Sequence, residues 1–125
     1  MSVLELGPGH AEPRIILDRD KGIFELSGKS FPEDVREFYN PVLSWIDEYI
    51  KVPNALTIFD FRLTFFNTSS HKILLAIFFR LETILQIDKK VIIKWYYPKG
   101  DDELLEAGKE FSEQFEIPFE FVVIN

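Results

Sequence analysis

Five consecutive residues, Asn67, Thr68, Ser69, Ser70 and His71, interrupt two apolar runs, Leu56 to Phe66 before them and Ile73 to Phe79 after them. Three adjacent hydroxyls support four chemistries: capping a helix, carrying a sugar, acting as a nucleophile, or accepting a phosphate. Asn67-Thr68-Ser69 fits the N-x-[ST] acceptor pattern, but the start of the chain lacks the basic and apolar segments of a secretory signal, so glycosylation is disfavoured. A hydrolase built on Ser69 or Ser70 with His71 lacks a visible third residue to orient the histidine. Capping accounts for one polar residue and is worth about 1 kcal/mol. A phosphate would add roughly −1.5 to −2 charges at a helix start, whose free N–H groups and dipole favour an anion. Capping and phosphate acceptance both remain open on these grounds.

Asp60 and Arg62 stand two residues apart, on one face of a strand that is otherwise apolar. Charges in such surroundings come paired, which predicts an ion pair between them or to a helix; the alternative places Arg62 near the hydroxyls, ready to meet a phosphate. The other candidates are weak. His10 and His71 are the only histidines, without acidic partners at metal-ligand spacing, and no metal or other cofactor is expected. Asp101, Asp102, Glu103 and Glu106 sit where they complement a helix dipole. Neither phosphate-cradling glycine motif occurs.

These residues need a scaffold, and 125 residues with 46% hydrophobic content and 13 Phe suffice for one globular domain. The net charge of −7 argues against a nucleic-acid partner, which would need a basic footprint. Asp60, Arg62, Arg80 and Glu82 break the longest apolar stretches, so no membrane partner is expected and a cytoplasmic protein is the default. Zero Cys excludes disulfides and thiolate chemistry.

Residues 1–12 read as a flexible leader and 13–125 as the domain. Arg14 to Asp18 and Gly22 to Gly28 form a predicted β-hairpin. A helix is expected from Ser30, with Ser30 and Glu33 as a capping box and a kink or break at Pro41. "LTIFDFRLTFF" is apolar enough to predict a central strand covered on both faces. A long helix, the strand "KVIIKWYY", another helix and the strand "FEFVVI" follow. The order ββαβαβαβ implies an α/β fold, with a mixed, mainly parallel sheet and helices packed against it. On the long helix, Ile73, Leu74, Ile77, Phe78, Leu81, Ile84 and Leu85 form the expected buried face. Lys72, Leu75, Phe79, Glu82, Thr83 and Gln86 lie opposite, and the pair Leu75 and Phe79 is the apolar exception.

The segments "GKSFPEDV", "FDFRLTFFNTSS", "KWYYP" and "EFSEQFEIPFEF" resemble the SiaC family of bacterial regulatory phosphoproteins, whose fold is similar to STAS-domain anti-sigma-factor antagonists. The resemblance implies a non-enzymatic switch in which Thr68 is the phosphorylated residue, with Asn67, Ser69, Ser70 and Arg62 as loop and recognition residues and Lys72, Leu75 and Phe79 as partner contacts. It also implies three partners: a serine/threonine kinase, a PP2C-type phosphatase, and a diguanylate cyclase or other effector activated by the unphosphorylated form. An anti-sigma-factor antagonist is the alternative within the same class, and the small Ser hydrolase the alternative outside it.

Overall fold

A computed structural model describes residues Met1–Asn125. Six strands form a single sheet in sequence order: β1 (Leu4–Leu6), β2 (Arg14–Asp18), β3 (Ile23–Ser30), β4 (Leu56–Phe66), β5 (Lys90–Pro98) and β6 (Phe119–Ile124). The first three pair antiparallel, and β3 through β6 run parallel. The parallel strands are joined by α1 (Val35–Tyr49), α2 (Thr68–Glu82) with a 3₁₀ turn (Thr83–Ile87), and α3 (Asp102–Gln114). The expected α/β architecture is therefore present, with one strand more than the sequence suggested. Residues assigned to a loose leader supply β1, and the Trp45 indole N–H donates to the Ser2 carbonyl at 2.8 Å.

Each parallel strand lies beside the one before it. Right-handed crossovers between consecutive neighbours all pass on the same side, so the helices share one face of the sheet. In β4 this appears as strict alternation: Thr57, Phe59, Phe61 and Leu63 are buried, and Ile58, Asp60 and Arg62 are only partly covered. The expectation of a strand covered on both faces is overturned. The covered face holds the core, including Phe24, Phe59, Phe61, Phe78, Trp95 and Phe111. Gly108 lets α3 lie close to that core: a Cβ there would come within 2.5 Å of Trp95, whose indole N–H donates to the Leu104 carbonyl at 2.9 Å.

Two helix details differ from expectation. Helix α1 starts at Val35, and its cap is Asp34, whose carboxylate accepts from Glu37 N–H at 3.0 Å. Ser30, the expected cap, ends β3 instead. The helix also continues without a break through Pro41, an exposed position midway along it, while Tyr39, Val42, Trp45, Ile46 and Tyr49 hold the other side in the core.

Candidate functional site

The hydroxyl cluster lies at the carboxyl end of β4, and a bulge prepares that end. Gly28 pairs with Leu63 but Lys29 pairs with Phe65, so Thr64 is an extra residue on β4, next to Gly28 at φ +94°. The extra residue shifts side-chain parity. Phe66 consequently turns to the helix side, against Trp95 and Phe111, while Phe65 is left exposed. Ser30, now paired with Phe66, reaches the start of α2.

Three buried hydroxyls meet there. Ser30 Oγ lies 2.6 Å from the Tyr39 hydroxyl and 2.8 Å from Ser70 Oγ, and Ser70 Oγ also donates to the Ser30 carbonyl at 3.0 Å. Burial pushes the Tyr39 hydroxyl up to about 12, against the opposing effect of its bond to Ser30, so it stays protonated near neutrality. The same Ser30 carbonyl accepts from Asn67 N–H at 3.1 Å. Asn67 caps α2, its side-chain oxygen accepting from Ser70 N–H at 2.9 Å.

This anchoring sorts the hydroxyls. Ser70 is fully buried, whereas Thr68 and Ser69, in the first turn of α2, are exposed. Among the residues expected at the site, Asn67 is the cap and Ser70 an internal anchor. Only Thr68 and Ser69 present hydroxyls to solvent. The His71 ring stacks 4.8 Å from Phe111, and neither Ser69 nor Ser70 hydrogen-bonds to it, so the pairing a Ser/His nucleophile requires is not formed. A surface groove of about 890 Å³ is lined at the start of α1 by residues including the acidic Glu12, Glu33, Asp34 and Glu37, and excludes all four residues Thr68 to His71.

Arg62 stands apart from this cluster, on the uncovered sheet face. Its Nε is 3.2 Å from Glu25 Oε1, and its guanidinium lies 3.7 Å from the centre of the Tyr96 ring. It hydrogen-bonds neither Asp60 nor the Asn67–Ser70 segment; register explains why, since Glu25 and Asp60 are cross-strand neighbours and Arg62 reaches across to β3. Asp60 is left with Oδ1 shielded from water and unbonded. Burial raises its pKa above the ordinary 3.8, Arg62 and Lys94 oppose the shift, and Glu25 adds to it. The pairing expected from the D-x-R spacing is thus only a through-space effect.

Along α2, Thr68, Lys72, Leu75 and Phe79 follow steps of four, three and four residues, which places them on one stripe of the helix. Phe79 is 66% exposed, so its apolar ring faces solvent. Leu75 is half-buried and also touches the core, which makes it a weaker candidate for a free contact than its spacing implied. Sequence reading missed Ser30 and Tyr39 as members of this site. Their signal was only that two hydroxyls sat among core-facing residues.

Comparison with solved structures gives the same fold throughout. The chain matches SiaC of Pseudomonas aeruginosa with TM-score 0.89 and 29% identity, covering 99% of this chain and 100% of that one. It also matches the crystal structure of the diguanylate cyclase SiaD in complex with its activator SiaC, from the same organism, with TM-score 0.91 and 27% identity, covering 97% and 99%. An uncharacterised protein of Pseudomonas aeruginosa (strain UCBPP-PA14) is 29% identical over 119 residues, 95% of this chain and 94% of that protein. The family model described as "SiaC family regulatory phosphoprotein" matches residues 7–124, and with that span nearly the whole domain is accounted for: the chain belongs to the SiaC family.

Proposed function

We propose that this protein is a non-enzymatic switch that binds and activates an effector, a diguanylate cyclase, and that phosphorylation of Thr68 releases it. The observation that carries the reading is the division of hydroxyls at the start of α2, with Thr68 open to solvent and Ser70 locked inside. Family membership, and the solved complex of a relative with the cyclase it activates, support the effector class.

A phosphate on Thr68 is held at the first turn of α2, where the unpaired N–H groups and the helix dipole stabilise it. The fold therefore tolerates the modification. Leu75 lies about 10 Å further along the same stripe, at 1.5 Å rise per residue. A dianion at that distance opposes desolvation of an apolar contact centred on Leu75 and Phe79, while the hydroxyl form leaves the stripe uncharged apart from Lys72. A serine/threonine kinase and a PP2C-type phosphatase set the balance between the two forms. Arg62, engaged with Glu25 and Tyr96, is not assigned to the phosphate.

Treatment with the cognate kinase and ATP, read by intact mass and site mapping, tests the assignment. One phosphate on wild type and none on Thr68→Ala is the expected result. Incorporation that persists in Thr68→Ala would move the site to Ser69 or elsewhere.

A further inference from the structure

The two outer edges of the sheet are built differently. On one side, β1 is three residues long, carries Glu5 at its centre and is followed by Gly7-Pro8, so it offers little backbone for pairing. On the other, β6 has six residues, pairs with β5 in unbroken register from Phe119 to Ile124, and has no strand on its outer side. Sheet edges are ordinarily blunted by lysines, internal prolines, bulges or extreme shortness. β6 has none of these, and Glu120 is its only charge. Val123 and Ile124 are 46% and 41% exposed.

Backbone geometry fixes which groups are free. The carbonyls of Pro118 and Ile124 accept from β5 and the residue just after it, at Ile93 N–H and Lys99 N–H. With a two-residue period, even-numbered residues turn their peptide groups towards β5, and Phe119, Phe121 and Val123 point theirs outward. We infer that β6 is a self-association edge, on which a second copy of this chain pairs antiparallel about a two-fold axis through Phe121. Phe121 then exchanges N–H and C=O bonds with its own copy, and Phe119 and Val123 face each other.

The register suits the side chains as well as the backbone. Phe119, Phe121 and Val123 lie on the helix-covered face, where apolar pairs across the axis extend the core. Glu120 falls opposite Val122 of the other copy, so the strand's one charge does not meet itself directly. A second copy is favoured over an unrelated strand because the free groups, the apolar pattern and the offset of Glu120 are all self-complementary.

Sedimentation of the full chain across a wide concentration range tests this. The expected result is a mass that rises from 14.7 kDa towards twice that value as concentration increases. Val123→Pro removes an outward N–H that β5 does not use, and Val123→Lys adds an edge charge; each is expected to weaken the dimer at least tenfold. Circular dichroism identifies which variant keeps the native fold, and Val123→Lys carries the test should the proline variant unfold. A monomeric mass at every concentration overturns the proposal and leaves the edge to a strand from another protein. A dimer unmoved by a folded Val123→Lys overturns it too, placing the interface elsewhere.

Discussion

Ser30, Tyr39 and Ser70 bury three hydroxyls joined through Ser30, whereas Glu25, Asp60, Arg62 and Lys94 gather charges on the uncovered sheet face and leave Asp60 Oδ1 and Arg62 Nε without a well-formed hydrogen bond. The first cluster neutralises its own desolvation cost, since every hydroxyl has a partner; the second does not. A satisfied buried network holds one geometry, and here that geometry ties the carboxyl ends of β3 and β4 to the first turn of α2, leaving Thr68 facing out. The charged cluster is bound by register and screened by solvent on one side, so it responds to pH and salt. Positioning of the site belongs to the neutral cluster.

The sharpest way to break this contrast is Ser30→Ala. It strips Tyr39 of its hydrogen-bond partner inside the core, and a cost of about 1–3 kcal/mol is expected in chemical denaturation. Adding Tyr39→Phe should recover part of that loss, because the orphaned hydroxyl goes with it; no recovery would mean that the network is not what stabilises this corner.

Next in size is Asn67→Ala, which removes the α2 cap and should cost about 1 kcal/mol by the same measurement. The loss should be accompanied by faster amide exchange at Ser70 than at mid-helix positions.

On the charged face the expected effect has the opposite sign. The folded-state pKa of Asp60 is raised, so the folded protein holds the proton more tightly than the unfolded chain does. Stability is therefore lost as pH rises from the ordinary 3.8 through the raised value. Asp60→Asn should be more stable than wild type above that window and should show a flatter profile across it. A variant whose thermal midpoint falls by the same amount at every pH would show that Asp60 contributes through shape, not charge.

The smallest stability effect is expected for Phe79→Ser, within about 0.5 kcal/mol, since the ring already faces solvent. The same substitution should weaken effector capture strongly if the α2 stripe is the docking surface. Unchanged capture by the folded variant would remove Phe79 from it.

Much of this was legible beforehand, for identifiable reasons. Strand and helix segments follow from period-two and period-3.6 patterns, and Phe79 was visible because an apolar residue on a polar stripe violates its period. A cap at Asn67 or Thr68 was legible because a capping side chain acts within its own turn, and the structure gives the role to Asn67. Ser30 was misread because its spacing to Glu33 fits a capping box as well as a strand end; Asp34 holds the cap, and the bulge at Thr64 brings Ser30 to Ser70. The pairing of Arg62 was misread because its partner, Glu25, lies on a different strand, and linear spacing does not encode register.

By itself the sequence determined every segment but β1 and its type, a cap within Asn67-Thr68 and the absence of thiol chemistry, all of which rest on local geometry or composition. Only the tertiary structure decided that the sheet is covered on one face, that Thr68 is open while Ser70 is sealed, and that Asp60 lacks a partner. Those outcomes depend on strand order, crossover hand and one extra residue in β4, which together set the neighbours of each side chain across distances that no local pattern spans.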